Sequence, residues 1–344
     1  MLANRLRKRF AHLKKWAQRT GAGVFRLYDR DIPEIPLVLD YYGGCAQPLN
    51  AALVGALYKR PYEKDEDDEE RWLAAMKESA AQVLGIDTER IFLKQRQRQK
   101  GSSQYEKLNN ARFTKKISEG GLFFKVNLSD YLDTGLFPDR RLLRALVRRE
   151  SEGKRVLNLF SYTGSFSVYA AAGGAAGTDS VDMSNTYCDW ALENFSLNNI
   201  MAEKMPQWDF FSGKPPLRRT PLRRSDCAHN LIRADVLDFL EKAAAAKVRW
   251  DIIVLDPPAF SNSKKMTDSF DLNRDKIEII RRCLGLLAPG GKLILSINTR
   301  RSTTTAPELE EKLPGVRVID LGNKVIDEDF RGRKMPGSFL VKSE

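Results

Sequence analysis

The sequence predicts an α/β protein whose larger part is a mostly parallel sheet with helices on both faces. Three observations carry this. From about Ser129 onward, short apolar runs that read as buried strands alternate with amphipathic stretches of helical length. Each strand but the last is followed by its helix, which is the βαβ pattern of an open parallel sheet. And 344 residues, 42% of them hydrophobic, are enough to build such a core and a second domain.

The strands are expected at Arg155–Leu159, Ala176–Asp182, Asn230–Ala234, Asp251–Leu255 and Lys292–Ile297. The helices are expected at Ser165–Gly173, Asn185–Asn198, Val236–Ala245 and Asp271–Leu287. Ala288-Pro-Gly-Gly291 reads as a turn just before the last strand. Upstream, residues 1–30 read as a basic helix and linker. Met1 to Thr20 hold seven Lys/Arg and no acid, and Leu2, Leu6, Phe10, Leu13 and Ala17 recur at helical spacing. That stripe is expected to pack on the next domain while the charges face outward. Residues 31–126 read as a small α+β domain. It has strands at Pro36–Tyr42, Ala52–Tyr58 and Arg90–Lys94, and a helix from the acidic run at Glu63 to Leu84. Arg112–Lys116 and Leu122–Leu128 are expected to form a hairpin across Gly120-Gly121. Residues 127–344 then form the large domain.

Composition excludes several classes. No apolar run approaches the roughly 20 residues a membrane span needs, and the basic N-terminus lacks the apolar stretch of a secretory signal. A cytoplasmic location is expected. The four cysteines (Cys45, Cys188, Cys227, Cys283) form no C-x-x-C pair, so neither a disulfide framework nor a metal site is expected. The two histidines, His12 and His229, lie in no motif. A net charge of +12 and a pI near 9.5 favour a polyanionic partner, since Lys and Arg release counterions from phosphates on binding. Lys94, Arg96, Arg98 and Lys100, with nearby amides and Tyr105, offer groups for phosphates, base edges and stacking. An exposed basic loop is the plainer reading.

Four motifs carry chemistry. In Val156-Leu-Asn158-Leu-Phe160-Ser161-Tyr162-Thr163-Gly164 a buried strand runs into a tight turn that opens a helix. Gly164 there lets backbone approach a ligand. Ligands of such sheets bind beyond the carboxyl ends of the strands, and the lack of G-x-G-x-x-G turns the expectation from a dinucleotide to S-adenosylmethionine. Asp182, in Ser180-Val-Asp182-Met183-Ser184, ends the next strand eighteen positions after Gly164. It suits the two ribose hydroxyls of a nucleoside, or it caps a helix, a task Ser184 is able to take instead. Asp235 and Val236 end the following strand. They suit an adenine amine and an apolar wall, or again a cap. In Leu255-Asp256-Pro257-Pro258-Ala-Phe260 two prolines fix φ and withhold N–H donors, and Phe260 offers a stacking face for a base.

Together these motifs resemble the Rossmann-fold, class I RNA methyltransferases. The match extends to Met1-Leu-Ala-Asn-Arg-Leu-Arg-Lys, Arg26-Leu-Tyr-Asp-Arg-Asp-Ile-Pro, Arg98-Gln-Lys-Gly, Tyr131-Leu-Asp-Thr-Gly-Leu-Phe-Pro-Asp-Arg140 and Asp256-Pro-Pro-Ala-Phe-Ser-Asn-Ser-Lys264. These segments resemble the RlmK-type methyltransferases, which form the C-terminal half of the bacterial RlmKL fusion and act on guanine N7 in 23S rRNA. The resemblance implies S-adenosylmethionine as cofactor and 23S rRNA or a large-subunit assembly particle as partner. It implies neither membrane nor metal, and a separate N2-guanine methyltransferase in place of the missing fused half. It also implies that Thr134, Phe137, Asp139 and Arg140 help close the methionine end of the cofactor, Arg140 being equally suited to a structural ion pair. Asn198 joins the expected cofactor set. The stretch 201–228, with Lys214, Arg218, Arg219, Arg223 and Arg224, is longer than the family pattern and reads as a basic surface loop.

The atom methylated has three candidates. Pyrimidine C5 needs a cysteine nucleophile, and the segment Ser296-Ile-Asn-Thr-Arg300-Arg301 holds none where related enzymes place it. An exocyclic guanine amine (N2) fits Asp256–Phe260 with one inserted residue. Guanine N7 carries no proton and needs only alignment with the methyl donor, and the resemblance selects it. In this reading Asp256, Pro257, Pro258 and Phe260 hold the flipped base, and Arg300 and Arg301 hold phosphates or are surface charge. Two rivals from other classes remain. One is a protein or small-molecule methyltransferase on the same fold. The other is a non-catalytic RNA-binding ribosome-assembly factor.

Overall fold

The computed structural model describes residues 1–43, 50–58, 65–95, 112–207, 211, 228–261, 270–297, 304–333, 335 and 337–343. The chain divides into two compact units. The first is Met1–Asp139 with Asp327–Arg331, and the second is Arg140–Ile326 with Gly332–Glu344.

The first unit opens with helix α1 (Leu2–Thr20), which ends on Gly21 in the left-handed region. Strands β1 (Val24–Asp29), β2 (Leu37–Tyr42) and β3 (Ala52–Leu57) follow, then α2 (Glu66–Leu84) and β4 (Ile91–Gln95). The sheet order is β1-β2-β3-β4, antiparallel except for the β3/β4 pair, which α2 connects. The N-terminal stripe works as its spacing implies. Leu2, Leu6, Leu13 and Ala17 share a core with Phe25, Leu39, Leu53 and Ile91, so α1 is part of this unit's core rather than a separate arm. Asp65 caps α2, its Oδ1 accepting from the Asp67 and Asp68 amides. β5 (Thr114–Glu119) and β6 (Leu122–Asn127) form the expected hairpin, with Glu119 opposite Leu122. Gly120 and Gly121 both take positive φ, 59° and 80°, as a two-residue turn of this hand demands.

The Arg26-Leu-Tyr-Asp-Arg stretch proves to be a structural knot within this unit. The Arg26 guanidinium pairs with Asp40 and with Asp29 at 3.1 Å and lies 5.0 Å over the Phe330 ring. Its amide donates to the buried Asp329 at 2.9 Å, which ties residues 327–331 to this unit. Lys94, expected to contact RNA, is buried, and its ammonium donates to the Tyr131 carbonyl at 2.5 Å. It is a fastening inside the unit, because a lysine stem at the end of β4 reaches an inner carbonyl more readily than solvent. Arg96, Arg98 and Lys100 lie outside the described residues.

The second unit contains α3 (Arg141–Glu150), β7 (Arg155–Leu159), α4 (Ser165–Ala172), β8 (Gly177–Asp182), α5 (Asn185–Ser196), β9 (Glu203–Pro206), β10 (His229–Arg233), α6 (Val236–Ala245), β11 (Trp250–Leu255), β12 (Phe260–Ser261), β13 (Phe270–Asp271), α7 (Leu272–Gly285), β14 (Leu287–Ser296), α8 (Ala306–Lys312), β15 (Val316–Asp320) and β16 (Ser338–Ser343). Eight strands form one sheet in the order β15-β16-β14-β11-β7-β8-β10-β9. It is parallel from β14 to β9, while β16 pairs antiparallel with both β14 and β15. Strand order reverses between β7 and β11, the switch point where ligands of such sheets bind. Side-chain alternation gives two cores. Leu157, Leu159, Ile253, Leu255 and Leu295 face one side, with Phe239 and Ile280 from the helices. Val156, Ile252, Val254 and Ile294 face the other, with Leu143, Val147 and Phe166.

Ala288-Pro-Gly-Gly291 is not a turn before a strand. It lies inside β14 as an irregularity, since Trp250 pairs with Leu287 but Ile252 pairs with Lys292. The extra residues bulge out of the ladder while both ends keep their pairing. Within 201–228, β9 adds a parallel edge strand beside β10. Lys214, Arg218, Arg219, Arg223 and Arg224 lie outside the described residues.

Candidate active site

The site is built where β7, β8, β10 and β11 end. Successive registers place residues of six strands in one transverse row. Arg233 pairs with Asp182, and Ser296 with Ser338. One position beyond the pairs Leu159–Val181, Leu255–Leu159 and Leu255–Leu295 lie Phe160 beside Asp182, Asp256 beside Phe160, and Ser296 beside Asp256. The chemistry-bearing residues read from sequence are therefore neighbours along one edge.

The turn after β7 is conformationally unusual. Phe160, Tyr162 and Gly164 take positive φ, at 53°, 49° and 72°. For bulky Phe and Tyr this is a cost the surroundings must enforce. They do so through named contacts. The Ser161 amide donates to the Val181 carbonyl at 3.0 Å, and the Tyr162 amide to Asp182 Oδ2 at 2.9 Å. The buried Thr163 accepts at its carbonyl from Asn194 Nδ2 at 2.8 Å. Phe160 packs on Phe270 with ring centroids 5.4 Å apart, and Tyr162 meets Tyr187 edge-on at 4.5 Å. Gly164 is needed for its backbone and its packing. Any Cβ there would stand 2.8 Å from the Ala191 Cβ of α5. The close approach it permits is to a helix of this chain.

Asp182 accepts from the Tyr162 amide through one oxygen and from the Ser184 amide, at 2.9 Å, through the other. Ser184 caps α5 itself, its Oγ accepting from the Tyr187 amide, so the helix does not occupy Asp182. Burial raises the Asp182 carboxyl to about 6, against the lowering effect of those two amides. Met183 contributes its carbonyl to Arg233 at 3.3 Å. Asp235 is the N-cap of α6. Its Oδ1 accepts from the Leu237 and Asp238 amides at 2.9 and 3.1 Å. That leaves Oδ2 outside the cap bonds. Val236 is buried in one core cluster with Phe239 and Leu240.

Two expected cofactor residues bond within the chain. Asn158 is buried and donates to Ser167 Oγ at 2.9 Å, and Ser180 donates to the same oxygen at 2.7 Å. It joins strand to helix, because its place in β7 points it under α4 rather than past the strand end. Asn198 donates to the Asn194 carbonyl at 2.8 Å, closing the end of α5. Thr134, Phe137 and Asp139 belong to the first unit. Thr134 is buried there with its Oγ1 2.7 Å from Tyr42 Oη.

At the far side of the row, Asp256 is ion-paired with the buried Arg140, Nε to Oδ1 3.4 Å. Sequence spacing alone has no signal for this pair, since 116 positions separate its members. Pro257 is buried and Pro258 partly so, which fixes the edge. Phe260 emerges from it 39% exposed, held by the short β12/β13 pairing. Arg300 and Arg301 lie outside the described residues. Of the cysteines, Cys283 is buried in the core and Cys188 lies under Asp182, its thiol pushed up to about 12 by burial. Cys45 and Cys227 lie outside the described residues. Among the described residues no cluster of His, Cys, Asp or Glu could hold a metal, and no helix is long and apolar enough to cross a membrane.

The donor set fits S-adenosylmethionine. A partly buried carboxylate without a cationic partner among its bonds, whose burial disfavours its charge, calls for hydroxyl donors such as a ribose diol supplies.

Comparison with known proteins agrees. A family model described as S-adenosylmethionine-dependent methyltransferase matches residues 40–219. The ribosomal RNA large subunit methyltransferase K of Neisseria meningitidis is 44% identical over 333 residues, covering 97% of this chain and 84% of its own. The ribosomal RNA large subunit methyltransferase K/L of Hahella chejuensis is 44% identical over 301 residues, 88% of this chain but 37% of its own. The chain thus spans under half of that longer relative. Among solved structures, a SAM-dependent methyltransferase from Agrobacterium tumefaciens superposes with a TM-score of 0.57 at 20% identity, covering 90% of this chain and 87% of its own. A structure holding S-adenosylhomocysteine superposes with a TM-score of 0.67 at 22% identity, over 99% of this chain and 81% of its own. These two likenesses show the class I fold. With the sheet, the Asp182 site and the sequence relatives together, the chain belongs to the S-adenosylmethionine-dependent methyltransferases, in the family of ribosomal RNA large subunit methyltransferase K.

Proposed function

We propose that this chain methylates N7 of a guanine in 23S rRNA by direct transfer, with no covalent intermediate. The observation that carries the reading is the row from Asp182 to Asp256. It sets the Asp182 carboxylate and the rigid Asp256–Pro258 edge two strands apart, a spacing that supports one group for the nucleoside and one for the base. The cofactor supplies a methyl group on a sulfonium. The chain's residues then only bind and align, because N7 presents an in-plane lone pair and no proton.

In this reading Asp182 accepts the ribose hydroxyls, and Oδ2 of Asp235 accepts the adenine amine. Phe260 stacks on the flipped guanine, and Asp256 with the Pro257–Pro258 backbone meets its edge. Asp256 is already engaged by Arg140, which suits a group that holds an edge rather than one that carries protons. The buried thiols of Cys188 and Cys283 are ill suited to attack a pyrimidine. Exposed Arg7, Lys8, Lys15 and Arg19 of α1 track rRNA phosphates. Sequence relatives named for the large-subunit rRNA support the substrate class.

Exocyclic N2 is the second reading, favoured by the Asp256-Pro-Pro-Ala-Phe260 order itself. Incubating the purified protein with methyl-tritiated S-adenosylmethionine and unmodified 23S rRNA, followed by nucleoside chromatography, separates them. Label in 7-methylguanosine supports the first, and label in N2-methylguanosine replaces it with the second. Label in 5-methylcytidine overturns both.

A further inference from the structure

Ser296 is 1% exposed, and its Oγ is a buried polar atom with no hydrogen-bond partner among the described residues. A hydroxyl in that position is disfavoured unless something meets it, and such exceptions in native folds call for a cause. Its place suggests one. Ser296 is the last residue of β14, at the carboxyl edge where ligands of open α/β sheets bind. It lies beside Asp256 in the transverse row, on the side away from Asp182. Alternation along the strands puts both on one face. Ile294 and Val254 share the cluster with Leu143 and Val147 of α3, and Ser296 and Asp256 each follow by two residues. Arg140, which begins that side, reaches Asp256 at 3.4 Å. The edge thus presents an acceptor-only carboxylate next to a hydroxyl able to donate.

That pair matches guanine, whose O6 accepts beside the N1–H and N2 amino donors. We infer that Ser296 is a specificity-determining residue whose hydroxyl donates to O6 of the target guanine while Asp256 meets the neighbouring donors. The inference rests on the guanine reading above. It accounts for the orphaned hydroxyl as a group that substrate satisfies. Adenine, whose N1 is an acceptor and which has no 2-amino group, leaves Asp256 without the donors it meets in guanine.

The test compares wild type and Ser296→Ala on a 23S rRNA fragment bearing either guanine or 6-thioguanine at the methylated position. 6-Thioguanine keeps N7, the N1–H and the 2-amino group but puts a weakly accepting sulfur in place of O6. Wild type is expected to prefer guanine by tenfold or more in kcat/KM, and Ser296→Ala to lose that preference through slower guanine methylation. Two further readouts guard against a structural explanation. Because the hydroxyl has no partner among the described residues, Ser296→Ala should keep or raise Tm, and its affinity for S-adenosylmethionine should match wild type. Retention of the guanine preference by Ser296→Ala overturns the inference, whatever the Tm. Wild-type protein that makes no 7-methylguanosine or N2-methylguanosine overturns the guanine reading itself, and the inference with it.

Discussion

Arg140 Nε stands 3.4 Å from Asp256 Oδ1, joining the residue that begins α3 to the Pro-Pro edge that follows β11. Arg140 is 4% exposed and the Asp256 side chain 15%. The pair sets the direction of the one carboxylate that the motif offers to a base. Removing Arg140 leaves Asp256 without its cation. Arg140→Ala should therefore cut kcat at least tenfold while S-adenosylmethionine affinity changes little. A double-mutant cycle with Asp256→Asn should show coupling of about 0.5–3 kcal/mol between the two. Additive losses would show that the pair does not act as a unit.

Asp182 gives a pH dependence. Its carboxyl is raised from 3.8 to about 6 by burial. For a raised acid the unfolded chain releases its proton first, so this group's contribution makes stability fall as pH rises from about 4 to about 6. Cofactor affinity runs the other way, because hydroxyl donors favour the ionised form. Calorimetry should show affinity for S-adenosylmethionine climbing as pH rises through about 6. Asp182→Asn should weaken binding by tenfold or more and flatten the climb, with circular dichroism unchanged.

Gly164 takes φ 72° and has Ala191 against its missing Cβ. Gly164→Ala should destabilise by about 1–3 kcal/mol, combining a disfavoured backbone with overpacking. Ala191→Gly removes the clash but not the backbone cost, so the double variant should recover part of the loss in a urea melt. Full recovery would mean the φ carries no strain, and no recovery that the contact is irrelevant.

The exposed cations of α1 give a salt-dependent prediction. Replacing Arg7, Lys8, Lys15 and Arg19 with Gln should weaken binding to 23S rRNA and make the plot of log affinity against log salt shallower, by about 0.7–0.9 for each phosphate that is no longer neutralised. The apolar stripe of Leu2, Leu6 and Leu13 is untouched, so Tm should hold. An unchanged salt slope would remove α1 from the RNA interface.

The parallel core strands, their helices and the acid at each strand end were legible because burial on both faces writes continuous apolar runs, and strand ends write turns. Arg155–Leu159 and Val236–Ala245 coincide with the observed elements. What sequence missed depends on distance along the chain. The Arg140–Asp256 pair and the row linking Asp182 to Ser296 arise from sheet register, which no local pattern encodes. The internal bonds of Lys94 and Asn158 were hidden for a related reason. Their residue types announce phosphate or ligand contact, but a buried lysine on a carbonyl and an amide beneath a helix satisfy the same bonding capacity internally. Pro289, Gly290 and Gly291 signal a break, and only pairing on both sides shows that the break is a bulge within β14.

The most direct test of the central claim is quantitative mass-spectrometric mapping of modified guanines in 23S rRNA from cells with and without this protein. Loss of one 7-methylguanine in its absence, restored by the wild-type chain but not by Asp182→Ala, is the predicted result. A 23S rRNA whose 7-methylguanine content is unchanged when the protein is removed would contradict it.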